Sequence, residues 1–202
     1  SCKKNVYDGI TTPEINQVLI MVLRTQVEYE PIFSLLATRV LFNDLYKEIL
    51  NTDRFSAGFS TLYQNMFERQ LKQGVSIGRL DPRLLVFDIH QLIEAIRPER
   101  DDNFRYIGAQ TLYDRYFLKG YDQSVIEVPQ YFWMRIAMGL AIDDKNREEK
   151  TIKFYNVMSN LYYVPSTPTL FHSGTTHPQM SSCYLTTVED DLVHNCKCIG
   201  GR

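Results

Sequence analysis

The sequence contains no long apolar run. None of its 202 residues falls in a stretch near the ~18–20 uninterrupted apolar positions that a membrane-spanning helix needs, so no membrane partner is expected. The opening SCKKNVYDG lacks the apolar centre of a secretory signal, and a cytoplasmic protein is expected. Basic excess is also missing. The 22 Lys and Arg stand against 24 Asp and Glu, a formal net charge of −2, so nothing favours nucleic acid and no charge block forms a solvating tail. Internal repeats and low-complexity segments are absent. Cysteine is scarce, at Cys2, Cys183, Cys196 and Cys198. In a chain of this length without an export signal these are expected as reduced thiols, any disulfide being catalytic. His194, Cys196 and Cys198 lack the spacing and the fourth ligand of a zinc site, so no metal ligand is assigned.

What remains is ordinary for a folded globular chain: 44% hydrophobic and 23% charged, long enough for one or two domains. Thirteen Tyr and eleven Phe fit a well-packed core.

Most of the chain carries helical periodicity. Thr12-Pro13 reads as a cap with proline at the first helical position, before Ile15, Val18, Leu19 and Val22. Pro31 restarts a helix through Ile32, Leu35, Leu36 and Val40. Phe59, Leu62, Tyr63, Met66 and Phe67 make another stripe. Asp81-Pro82 is expected to cap a helix that carries His90 and ends before Pro98. A helix near 104–118 with Gly120 as its C-cap follows, then two more at about 129–142 and 146–162. Periodicity stops at Pro165. Residues 164–182 read as a loop, and Cys183–Val188 as a strand rich in β-formers. A single strand cannot stand alone, so its partners are expected beyond residue 202 or in another chain.

Three short stretches can carry chemistry, and each has a plain structural reading beside the functional one. Ser166-Thr167-Pro168-Thr169 can hold a phosphate through hydroxyls and backbone N–H groups, or simply end a helix. Cys183 can be a redox thiol facing a cavity or a buried structural cysteine. Glu189-Asp190-Asp191 can bind a ligand or be a solvated strand end.

Taken together, YDGI (7–10), LATRVL (36–41), PSTPTLFHSG (165–174) and QMSSCYL (179–185) resemble the large, catalytic subunit of class I ribonucleotide reductase, over nearly the whole chain to about Leu192. The resemblance implies a mainly helical fold, the family's N-terminal helical domain, followed by the first strand of its ten-stranded α/β barrel. It divides the chain into 1–50, the rear part of an ATP cone; 51–163, the helical domain; and 164–202, the substrate-phosphate loop and first barrel strand. It implies that Cys183 gives reducing equivalents to the substrate's 2′ carbon and ends in a disulfide with a cysteine far downstream. A third cysteine would carry the thiyl radical; Cys196 and Cys198 lie too close in sequence to Cys183 to be either partner. Thr167 and Ser182 match positions that hold the ribonucleoside diphosphate. Asp190 matches a carboxylate of the specificity site, and Thr12 and Lys47 match ATP-cone positions, so ATP and deoxynucleoside triphosphates are the implied effectors. His90, His172 and His177 receive no role.

The same resemblance implies the partners: the missing C-terminal part of the large subunit, a second large subunit, the small (beta) subunit whose metal site supplies the radical, and thioredoxin or glutaredoxin. No cofactor is expected on this chain itself. The tail from His194 to Arg202 departs from the family, and the chain alone is expected to be inactive. The competing expectation is a non-catalytic helical module that binds nucleotides, or a degenerate fragment.

Overall fold

The computed structural model describes residues 7–185. Its helices run α1 (Thr12–Gln26), α2 (Ile32–Leu50), α3 (Phe59–Ser76), α4 (Ile89–Ala95), α5 (Tyr106–Thr111), α6 (Pro129–Ala141), α7 (Arg147–Ser159) and α8 (Thr167–His172). Two 3₁₀ turns, Pro82–Val86 and Pro98–Asn103, and a π turn, Leu112–Tyr116, join them.

Helix α6 is the hub. Of its thirteen residues only Leu140 is not buried, as expected for a helix whose apolar residues go all the way round. Around it the buried residues form one cluster that runs from Leu23 in α1 to Leu170 in α8. Helix α7 lies along α6. Helices α1 and α2 form an antiparallel hairpin: Asn16, in the first turns of α1, donates to Asp44 near the far end of α2 at 2.5 Å. Aromatic side chains knit the interior, with Tyr63 edge-on to Tyr131 at 5.2 Å and Phe132 edge-on to Trp133 at 4.8 Å between ring centres.

The hub also carries buried polar groups. Asp101, 1% exposed, accepts from Tyr46 and Tyr63 hydroxyls at 2.5 and 3.0 Å and from Gln130 Nε2 at 2.6 Å. Gln130 Oε1 in turn accepts from Tyr155. This satisfies a charge-capable group that would otherwise be costly to bury.

Several sequence expectations need correction. The cap of α1 is Thr11, not Thr12. Thr11 shares the carboxylate of Glu14 through its N–H and its hydroxyl, at 2.8 and 2.7 Å, and Thr12 is the first helical residue. The expected helix from Asp81 to Pro98 is two pieces, because Asp88 makes a second cap by accepting from the Gln91 N–H. The helix near 104–118 is α5 continued by the π turn, in which Phe117 N–H reaches back five residues to Leu112. Gly120 does not cap it; its N–H bonds Ser124 within a tight turn bridged by Lys119 and Val125. The loop expected over 164–182 contains α8, one and a half turns with Pro168 in its first turn. Of the strand expected at Cys183–Val188, residues 183–185 form no strand, and 186–188 lie outside the described residues. Among the described residues there are two isolated β-bridges and no strand.

Candidate functional site

The segment after α7 is fixed to the hub by a glycine-on-glycine contact. A Cβ placed on Gly139 of α6 would meet Gly174 N at 2.1 Å and Ser173 Oγ at 2.4 Å. Gly174 itself has φ +74°, and a Cβ there would meet Arg135 O at 2.9 Å. Glycine at both positions lets two backbones approach closely and supplies the left-handed turn.

A buried ion pair finishes the anchor. Arg135 and Glu127 have side chains only 2% and 7% exposed, with Nε to Oε1 at 2.5 Å. The guanidinium also donates to Ser173 O at 2.6 Å, while Glu127 accepts the Leu118 N–H at 2.9 Å. The planar fork of arginine thus spans a carboxylate and a loop carbonyl at once. Ser173 Oγ donates to Ile136 O at 2.8 Å. On the other side Gly174 O accepts from Asp81 N and Arg79 O from Thr176 N. The stretch 173–176 is therefore clamped between α6 and residues 79–81.

This clamp orients α8. Its inner residues Thr169 and Leu170 are buried, and Ser166 and Thr167 face outward. Thr167 Oγ1 lies 3.2 Å from the Tyr116 hydroxyl. The ring of Phe171 stacks on that of Tyr116, with centres 4.6 Å apart. Thr169 Oγ1 donates to Met180 O at 3.4 Å, which brings the segment leading to Cys183 alongside α8. Ser182 and Cys183 are exposed, and the Cys183 thiol is free. Among the described residues no hydrogen bond joins Thr167 to Ser182 or Cys183; the bond from Thr169 to Met180 is what ties their two segments together.

The other candidates lie elsewhere. Thr12 is exposed at the start of α1. Lys47, in the last turn of α2, pairs with Asp53 at 3.3 Å and lines a cleft of about 360 Å³ with Asn16, Asn43, Asp44 and Phe55. Thr12 is not part of that lining, although the Asn16–Asp44 bond places both residues at the same end of the hairpin. Asp190, Cys196, Cys198 and His194 lie outside the described residues. Among the described residues no group of three or more His, Cys, Asp or Glu side chains gathers as a metal site would require.

Sequence reasoning missed the anchoring residues. Gly139 and Arg135 had a signal, a glycine and an arginine inside a mostly apolar helix, and periodicity passed over it; Glu127, just before that helix, had none. Tyr116 had none, because its placement depends on the π turn.

With this geometry in view, comparison with known proteins is decisive. Residues 102–178 match the family model described as "Ribonucleotide reductase, all-alpha domain". The chain is 43% identical over 196 residues to the ribonucleoside-diphosphate reductase subunit alpha of Chlamydia muridarum, covering 96% of this chain and 18% of that protein. It is 36% identical over 189 residues to the corresponding subunit of Helicobacter pylori, covering 92% of this chain and 23% of the relative. Against the large subunit of Caenorhabditis elegans it is 32% identical over 188 residues, covering 93% of this chain and 23% of that one. The chain belongs to the ribonucleotide reductase large-subunit family. It corresponds to the N-terminal part of that subunit and spans about a fifth of the length of the curated relatives it matches. The match at 102–178 takes in the π turn, the hub α6, the Arg135–Glu127 anchor and α8. The elements that present Thr167 are thus the ones the family model describes as all-alpha.

Proposed function

We propose that this chain is the N-terminal portion of a ribonucleoside-diphosphate reductase large subunit, reducing ribonucleoside diphosphates to deoxyribonucleoside diphosphates when joined to the rest of that subunit. The observation that carries the reading is the likeness of 96% of the chain to a protein named for that activity. The geometry supports it: a clamped short helix presents a hydroxyl, and an exposed free thiol follows on the neighbouring segment.

In this reading Thr167 and Ser182 hold the diphosphate end of the substrate. Cys183 and a cysteine elsewhere in the subunit together give two electrons and two protons, so that the 2′ hydroxyl leaves as water and the two thiols become a disulfide. Thioredoxin or glutaredoxin reduces that disulfide for the next turnover. The radical that starts the cycle comes from the metal-containing small subunit and reaches a thiol outside residues 1–202. Holding the substrate's anionic end beside the reducing thiol fixes which carbon the thiol faces.

Residues 164–202 begin the α/β barrel, 51–163 form the helical domain, and 1–50 derive from an ATP cone with Thr12 and Lys47 on its nucleotide side. Asp190 reads deoxynucleoside triphosphate effectors at the contact between two large subunits. The chain alone, lacking the second redox cysteine and the radical cysteine, does not turn over.

The test is a chimaera in which this segment replaces its counterpart in the Chlamydia muridarum subunit alpha, assayed with that organism's small subunit, CDP and dithiothreitol. Multiple-turnover dCDP formation is expected, falling to background in Cys183→Ser with the thermal midpoint unchanged. Normal multiple turnover by Cys183→Ser overturns the role of Cys183. A folded chimaera that binds CDP and never forms dCDP overturns the reading of this segment as a working part.

A further inference from the structure

The π turn places one side chain where an α-helical continuation of α5 would not. In it Phe117 N–H bonds Leu112 O, five residues back, which widens the turn and rotates Tyr116 relative to the face occupied by Tyr113. Tyr113 lies in the cleft between α1, α2 and α5 with Glu48 and Gln110. Tyr116 instead meets α8 twice: its ring stacks on Phe171, with planes 21° apart, and its hydroxyl lies 3.2 Å from Thr167 Oγ1.

We propose that Tyr116 is a positioning residue for substrate binding, holding Thr167 so that its hydroxyl proton is directed to the diphosphate. The proposal rests on the assignment of Thr167 given above. Its logic is one of donors and acceptors. A phosphate oxygen at neutral pH only accepts, and a threonine hydroxyl has a single proton to give. Either hydroxyl of the Tyr116–Thr167 pair can be the donor. A bound phosphate oxygen selects the direction, because it only accepts and so draws the threonine proton to itself. The phenol then donates to Thr167 Oγ1, which satisfies the threonine oxygen while its proton serves the ligand. Two hydroxyls in series also polarise one another and strengthen the terminal bond. The stacked Phe171 ring keeps the phenol in place at a position only half-buried.

The experiment compares Tyr116→Phe, Thr167→Ala and the double variant in the active chimaera, measuring KM and kcat for CDP together with the thermal midpoint. Tyr116→Phe keeps the ring and loses only the hydroxyl. It is expected to raise KM roughly 2- to 12-fold, the worth of one neutral hydrogen bond, with kcat and the midpoint little changed. Thr167→Ala is expected to raise KM at least as much, and adding Tyr116→Phe to it should change nothing further. An unchanged KM in Tyr116→Phe beside a raised KM in Thr167→Ala overturns the role of Tyr116. So does a Tyr116→Phe effect that persists in full without Thr167. An unchanged KM in Thr167→Ala overturns the assignment of Thr167 itself, and this one with it.

Discussion

Asp101 is the residue most out of place by ordinary rules. A carboxyl 1% exposed has no cation in direct contact, only two tyrosine hydroxyls and the Gln130 amide. Burial pushes its pKa from 3.8 up to about 7, against the downward pull of those three donors. Between pH 4 and 7 the folded chain therefore holds a proton at Asp101 that the unfolded chain has released. Stability falls as pH rises through that window and levels off above it, by on the order of 4 kcal/mol from this residue. Asp101→Asn resembles the protonated form and cannot titrate, so its thermal midpoint should decline much less than the wild type's between pH 4.5 and 7. Identical slopes for the two proteins would show that Asp101 stays ionised throughout. Nothing in the sequence marked this residue: Asp101 and Asp102 form an ordinary acidic pair in a polar stretch, and only the three-dimensional meeting of α2, α3 and α6 buries the first. Thr11 shows the opposite case. The Thr-x-x-Glu spacing of a capping box was legible at 11 and 14, and the proline at 13 drew the reading one residue too far.

Among the elements, long amphipathic helices were legible and short ones were not. The stripes of α1, α2 and α3 marked where these helices lie, because each has one apolar face packed on the core, although the stripes read in the sequence stop short of the helix ends at Gln26, Leu50 and Ser76. Helix α4 was merged with the preceding turn because Leu85, Ile89, Leu92 and Ile96 keep helical spacing across the break at Asp88. Helix α8 was read as loop because six residues with a proline, and with four hydroxyl side chains in and beside them, carry no period. What holds α8 in place is close packing, and this can be tested. Gly139→Ala puts a methyl group against the Gly174 backbone, which no side-chain rotation can relieve. The overpacking should cost about 1–3 kcal/mol, lowering the midpoint by roughly 2–12 °C for a chain of this size, with faster amide exchange at 173–176. Gly108→Ala at an exposed position of helix α5 is the control, since its Cβ meets nothing within 4 Å, and it should be neutral or slightly stabilising. Equal midpoints for the two variants would mean that the α6–loop contact contributes little to holding this segment.

At the scale of the molecule, the packing crosses the proposed division between 1–50 and 51–163. Phe42, Leu45 and Tyr46 of α2 are at most 1% exposed and belong to the same buried cluster as Tyr63, Phe104 and Trp133. Tyr46 also shares Asp101 with Tyr63. Two segments that share a core and a buried hydrogen-bond network should unfold together. The single tryptophan makes this measurable, because Trp133 sits in α6 and reports only the second segment, whereas far-UV circular dichroism reports every helix. In thermal or urea unfolding of the chain the two signals should give one coincident transition. Leu45→Ala, a truncation in α2 expected to cost about 2–5 kcal/mol, should move both signals by the same amount. A Trp133 transition that stays put while the dichroism signal splits would establish residues 1–50 as an independently folding unit. The tight core beneath α2 argues for the single transition: an α2 that melted alone would expose Ala37, Phe42, Leu45 and Leu50 together and leave Phe104 and Tyr63 without their ring partners Phe42 and Tyr46.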